Sequence, residues 1–158
     1  VVDKKFEIVS LSEVLKSVKE KLENFVSGKE VEITSDFTEI PEISYSRPDL
    51  DNIFYNMLSN SIRFSENSRK CVIKITSILK GEDIVLSFQD NGKGIDLERY
   101  GSRMFGLYQR FHAENMGKGL GLYLLNTQVK SMGGVIEVKS EPGVGSEFII
   151  TLKRRKEE

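Results

Sequence analysis

Three groups of residues carry chemistry by type and spacing. Asn52, Asn56, Asn60 and Arg63 recur every three or four positions, which at about 100° per residue places them on one row of a helix. Asn is a poor helix-interior residue because its amide competes for backbone hydrogen bonds. A row of them reads either as a solvated face or as amide oxygens for Mg2+, a hard cation that prefers oxygen and keeps several waters. In the second reading Arg63 faces phosphate oxygens. Asp90-Asn91-Gly92-Lys93-Gly94-Ile95 follows an alternating apolar run. The segment is ordinary turn chemistry, and a short carboxylate at a strand end is also an acceptor for the exocyclic amine of adenine. Gly92 and Gly94 let the backbone come close to a flat ring. Gly117-Lys118-Gly119-Leu120-Gly121-Leu122 precedes a helical pattern. Its glycines serve either as a lid hinge or as exposed N–H groups at a helix N-terminus, where an anion is favoured. The spacing is not that of a Walker loop. Nor is it a dinucleotide fingerprint, because an irregular segment precedes it instead of a strand. In this order a helix amide, a strand-end carboxylate and a glycine loop outline an ATP pocket.

The elements that must hold these groups are legible from periodicity. Phe6-Glu7-Ile8-Val9 alternates as a short strand, and Ser10 or Ser12 caps a helix. Val14, Leu15, Val18, Leu22, Phe25 and Val26 keep helical spacing up to a stop at Ser27-Gly28. Val31 to Thr34 alternates as a strand, and Pro41 to Tyr45 leads through a loop to another. Pro48 suits a first helical turn; Leu50, Ile53, Phe54, Met57, Leu58 and Ile62 then form one apolar stripe ending near Asn67. Val72–Leu79 and Ile84–Gln89 are predicted strands joined by a turn at residues 80–83. Residues 96–117 lack a clean period, and a loop that long in a compact domain is a lid, a binding loop or disordered. A helix from Leu120 to Met132 stops at Gly133-Gly134, and strands at 135–138 and 148–152 follow. The mixture, with consecutive strand pairs, predicts an α+β fold: a two-layer sandwich, helices covering one face of a mixed sheet.

Bulk properties narrow the function classes. A chain of 158 residues fits one domain, residues 1–158, with a sizeable core. With 39% hydrophobic and 30% charged residues it is a soluble globular chain. A net charge of -1 gives no nucleic-acid or membrane signal, and the Lys153-Arg154-Arg155-Lys156 run is followed at once by Glu157 and Glu158. Cys71 is the single cysteine and His112 the single histidine, so a cysteine-based zinc site and a multi-histidine site are excluded. Cys71 reads as a half-buried strand residue in a reducing, cytoplasmic setting. The Val1 start points to a piece of a larger parent, which leaves room for a membrane anchor upstream.

At these residues the sequence resembles the catalytic and ATP-binding domain of two-component sensor histidine kinases, within the wider family of gyrase, the heat-shock chaperone and mismatch-repair ATPases. Asn56 to Phe64 resembles the N box and Asp90 to Ile95 the first glycine box. Phe105-Gly106-Leu107-Tyr108-Gln109-Arg110-Phe111-His112 resembles the F box. Gly117 to Leu122 resembles the second glycine box and Gly143 to Phe148, with Ser146, a third. The resemblance implies a Bergerat-type sandwich of about five strands and about three helices with an ATP lid over 96–117. It implies ATP and Mg2+ as cofactors. Asn60 would bind Mg2+, with Asn56 on the phosphate side. Arg63 would stand where a phosphate-facing Lys is usual, and Phe64 where an aromatic lies on adenine. Asp90 would accept from the adenine amine, helped by Gly92 and Gly94, while Gly119, Leu120 and Gly121 offer amides to the phosphates. Phosphoryl transfer relies on positioning and charge stabilisation, which such parts supply.

Departures from the family pattern sharpen the expectation. Ser61 replaces the usual Ala. Lys118 replaces a common Thr or Ser, either reaching the γ-phosphate or staying solvated, and Glu147 replaces a common Thr. The His-Glu phosphoacceptor motif is absent. The resemblance therefore implies a monomeric catalytic domain that transfers phosphate to a histidine on its parent's own dimerisation and phosphoacceptor hairpin, with a response regulator as the indirect partner and residues 1–10 as the connection. A nucleotide-sensing pseudokinase and a conformational ATPase are the alternatives.

Overall fold

The computed structural model describes residues 5–24, 26, 28–100 and 120–154. Strand β1 (Phe6–Ser10) leads into helix α1 (Leu11–Leu22), followed by β2 (Val31–Asp36), β3 (Glu42–Ser46) and α2 (Arg47–Arg63). Strands β4 (Cys71–Lys80) and β5 (Asp83–Asp90), the one-turn helix α3 (Leu97–Tyr100), α4 (Leu120–Ser131), β6 (Val135–Glu141) and β7 (Gly145–Lys153) complete the order. Five strands form one sheet in the order β2-β4-β5-β7-β6. The β2–β4 pair is parallel and the other pairs are antiparallel, so the sheet is mixed as predicted. The two remaining strands form a separate antiparallel pair, β1–β3.

Helix entries follow the predicted chemistry. Ser10 accepts from Glu13 N–H at 3.3 Å and so caps α1, and Ser46 accepts from Asp49 N–H at 3.4 Å at the start of α2, with Pro48 in its first turn. The exits come earlier than periodicity predicts. Helix α1 stops at Leu22, and Val26 reaches the core through a further turn in which its N–H donates to Leu22 C=O at 3.1 Å; Phe25 and Ser27 lie outside the described residues. Helix α2 ends at Arg63 instead of near Asn67 because side chains take over its last carbonyls. Ser65 Oγ donates to Ile62 C=O at 2.6 Å and Lys29 Nζ to the same oxygen at 3.0 Å.

The core lies between the helices and one face of the sheet. Alternation buries Ile73 and Ile75 of β4, Leu86 and Phe88 of β5, and Phe148, Ile150 and Leu152 of β7. Register lines up Ile75, Phe88 and Phe148 across three strands. The α2 stripe Leu50, Ile53, Phe54, Met57, Leu58 and Ile62 packs on this face, with Phe54 meeting Phe88 edge-on at 5.2 Å between ring centres. Truncating Phe54 would cost about 3–5 kcal/mol. Cys71 is fully buried, not half-buried, at 3% exposure, and burial, then the nearby Asp90 charge, pushes its thiol up to about 11, with Lys29 opposing. Among the described residues no helix is long and apolar enough to cross a membrane.

Candidate functional site

The same register that builds the core places Asp90 at the end of β5, opposite Ile73 of β4 and Ser146 of β7. Its carboxylate receives three hydrogen bonds. Oδ1 accepts from Gly92 N–H at 2.9 Å and Ser146 N–H at 3.3 Å; Oδ2 accepts from Ser61 Oγ at 2.8 Å. Burial raises the Asp90 pKa above the usual carboxylate value, while the bonds from Gly92, Ser61 and Ser146 pull it back. Ser61 is thus a direct support of the carboxylate, a role its place in the sequence motif does not announce.

The turn after Asp90 is held between α2 and the β6–β7 hairpin. Asn91 folds back on β4, its Oδ1 accepting from Val72 N–H at 2.8 Å and its Nδ2 donating to Lys70 C=O at 2.9 Å. Lys93 N–H donates to Phe64 C=O at 3.0 Å, and Gly143 N–H to Lys93 C=O at 2.7 Å. A Cβ at Gly92 would stand 2.6 Å from Phe64 C=O, and one at Gly94, whose φ is +74°, would run into the Glu141 carbonyl. Ile95 N–H donates to Ser140 Oγ at 2.7 Å, and Ser140 Oγ lies 2.7 Å from Ser146 Oγ.

The asparagine row of α2 divides into different roles. Asn52 Nδ2 donates to Gln128 Oε1 at 2.5 Å, and Gln128 Nε2 donates to Asp49 C=O at 3.2 Å, fastening α2 to α4. Asn56 Nδ2 turns back to Asn52 C=O and Oδ1 at 2.8 and 2.9 Å. A Cβ at Gly121 would lie 2.9 Å from Asn56 Oδ1, so a glycine there admits close approach of α4. Asn60 differs: among the described residues its Oδ1 takes only a long 3.5 Å contact from Arg63 Nη1, and its buried Nδ2 has no hydrogen-bond partner. A buried donor left unmade costs about 1–3 kcal/mol. Neither a uniform solvated face nor a uniform ligand row describes the set.

Asn60, Ser61, Phe64, Asp90, Gly94, Ile95, Leu122, Ser146 and Phe148 surround one small cavity of about 20 Å³, room for about one water. The structure therefore gathers the predicted Asn60, Phe64, Asp90, Gly94, Ile95, Leu122 and Ser146 at one cleft. Glu147 points to the opposite face of β7 from Ser146 and accepts from Ser87 Oγ at 2.6 Å. Lys118, Gly119, the F box 105–112 and residues 101–117 of the expected lid lie outside the described residues; Leu120 opens α4. Sequence reading missed Arg69, Ser140 and Gln128 as organisers of the site, since each acts across a long stretch of chain.

The donor set suits an adenine nucleotide with a hard cation, around which the cavity, now about 20 Å³, would have to open. An acceptor stands ready in Asp90, and the glycines let the turn beside it pack against the Phe64 and Glu141 carbonyls. Asn60 carries an amide oxygen with one long 3.5 Å contact for a cation and a buried amide nitrogen suited to a phosphate oxygen. Among the described residues no cluster of three His, Cys, Asp or Glu is suited to hold a metal, so a cation here would draw most of its ligands from phosphate and water around an amide oxygen.

Comparison with known proteins agrees with the geometry. Residues 45–156 match the model of the family described as histidine kinase-, DNA gyrase B-, and HSP90-like ATPase. The phytochrome-like protein Cph1 of Synechocystis sp. is 31% identical over 144 residues, 90% of this chain and 18% of Cph1. The histidine protein kinase SaeS of Staphylococcus epidermidis is 27% identical over 152 residues, 94% of this chain and 43% of SaeS. The chain thus spans less than half the length of these curated relatives. In fold it is similar to full-length ShkA in complex with AMPPNP, with a TM-score of 0.81 and 23% identity over 98% of this chain and 32% of that one. With the family model covering most of its length, the chain belongs to the histidine kinase-, DNA gyrase B- and HSP90-like ATPase family.

Proposed function

We propose that this chain binds ATP with Mg2+ and presents the γ-phosphate to a histidine on a separate dimerisation domain of a sensor kinase, as its similarity to the histidine protein kinase SaeS suggests. The observation that carries the reading is the pre-set Asp90 carboxylate sharing one cleft with the Asn60 side chain, whose oxygen takes one long 3.5 Å contact from Arg63. Asp90 accepts from the adenine amine while Gly92, Gly94 and Ile95 bring backbone against the ring and Phe64 covers it. Ser146 keeps Asp90 in place. Asn60 offers its amide oxygen to the cation, which neutralises phosphate charge when bound. Asn56 and Arg63 lie on the phosphate side, and the segment Lys118, Gly119, Leu120, Gly121 and Leu122 supplies amides at the start of α4.

Residues 1–10 are the connection from the phosphoacceptor hairpin and 96–117 the lid in this reading, with a response regulator as the next acceptor. The Glu147 departure argues less for a pseudokinase than it does in the sequence alone, because that side chain faces away from Asp90. Supplying the parent's helical hairpin in trans with ATP and Mg2+ tests the reading. Phosphohistidine should appear on the hairpin, and nucleotide binding without any transfer would point instead to a nucleotide sensor.

A further inference from the structure

We infer that Arg69 is a positioning residue that fixes how Asp90 is presented to a purine amine. Arg69 stands in the loop between α2 and β4, and its guanidinium makes three hydrogen bonds to main-chain oxygens. Nε donates to Asn91 C=O at 2.8 Å, and Nη2 to Gly92 C=O at 2.8 Å and to Gly143 C=O at 3.0 Å. The rigid fork of the guanidinium is suited to such multiple contacts, and a lysine is not.

The geometry of these contacts gives them their meaning. Asn91 C=O and Gly92 N–H belong to one planar peptide group. Arg69 holds its oxygen end while Asp90 Oδ1 holds its N–H end. The next peptide is pinned in the same way: Arg69 holds Gly92 C=O, and Lys93 N–H donates to Phe64 C=O. Gly92 lies between the two planes, and a glycine lets a neighbouring peptide rotate at little steric cost. Rotation of the 91–92 peptide would turn its N–H away from Asp90 and alter the lone pairs the carboxylate shows to the cleft. Arg69 opposes that rotation from outside. Its side chain is exposed, so it contributes orientation and not core packing. The third bond, to Gly143, ties the same turn to the β6–β7 hairpin, which also supplies Ser146 N–H to Asp90.

This inference rests on the proposed adenine site and deepens it. ADP and IDP distinguish the two, because hypoxanthine carries an oxygen where adenine carries the amine that Asp90 receives. Calorimetry of both nucleotides with Mg2+ on the wild-type chain, Arg69→Gln and Arg69→Lys, each with a thermal melt, makes the comparison. Arg69→Gln should keep its fold and lose about tenfold in the ADP-to-IDP affinity ratio, the scale of one well-aligned hydrogen bond. Arg69→Lys, which retains the charge without the fork, should lose less of that ratio and serves the same comparison if the Gln variant melts out. An unchanged ratio, or ADP and IDP weakened equally, overturns the positioning role and leaves the adenine site standing. A wild-type chain that does not prefer ADP to IDP overturns the adenine reading and this inference with it.

Discussion

Asp90 and Asn60 lie on the same cleft and are held in opposite ways. The Asp90 carboxylate already receives three hydrogen bonds, from Gly92, Ser146 and Ser61. Asn60, on α2, buries an amide nitrogen with no partner among the described residues and an oxygen reached, among them, only by a 3.5 Å contact from Arg63. A saturated group is pre-organised, and its recognition geometry exists before any ligand arrives. An unsatisfied buried group stores a cost that a ligand relieves. In the proposed function, selection of the base falls to the finished end of the cleft, and response to phosphate and cation to the unfinished one.

The largest expected effect breaks the unfinished end. Asn60→Ala should reduce phosphoryl transfer to a hairpin supplied in trans by about a hundredfold or more, and should erase the difference in ADP affinity with and without Mg2+. Its fold should not weaken, since an unpaired buried donor is removed; calorimetry and melting read the two separately. Asp90→Asn breaks the finished end and should lower ADP affinity by about tenfold to a hundredfold. The isosteric amide can still accept from Gly92 and Ser146, so stability at neutral pH should hold or rise.

The raised pKa of Asp90 sharpens that prediction. The folded state holds this proton more tightly than the unfolded state does. The stability contribution is therefore fully present below the unfolded carboxylate value and is lost as pH rises through the folded one. ADP binding runs the other way, because the amine needs an ionised acceptor, and should weaken as pH falls through the raised value. Asp36, whose carboxyl pKa is lowered by its hydrogen bonds from Thr38, contributes its own pH dependence in both proteins. Denaturant titrations and binding across acidic pH should therefore show the two opposite slopes of Asp90 as the difference between the wild type and Asp90→Asn.

Smaller effects test the surroundings. Gly94→Ala puts a Cβ at positive φ against the Glu141 carbonyl and should cost about 1–3 kcal/mol in chemical denaturation. Tyr45 gives a control outside the cleft. Its hydroxyl is also buried without a partner among the described residues, and burial, then the Asp49 charge, pushes its pKa up to about 12. Tyr45→Phe should stabilise the fold by about 1 kcal/mol and leave ADP affinity unchanged, so that an orphaned polar atom matters to binding only where it faces the cleft.

What could be read in the sequence divides along sequence distance. The α2 stripe from Leu50 to Ile62 and the alternation in β4 and β5 are local periodicities, and they matched the structure. Asp90 with its glycines is a local turn signal, and the turn formed where expected. The pairing of β1 with β3 joins Val9 to Ile43, across a helix and a strand, and no local pattern encodes it. The asparagine row shows the same limit in another form. Periodicity placed Asn52, Asn56 and Asn60 on one face, yet Gln128, which meets Asn52, comes from a helix 76 positions away. Arg69 reads as an ordinary loop cation until the Asp90 turn and the Gly143 turn are brought beside it.

Calorimetric titration of ADP with Mg2+ into the wild-type chain and into Asp90→Asn, with melting curves for both, tests the central claim most directly. The account predicts that the wild type binds, that Asp90→Asn stays folded at least as stably, and that the variant loses most of the affinity. Wild-type binding undetectable at millimolar ADP, or a folded Asp90→Asn that binds like the wild type, would contradict it.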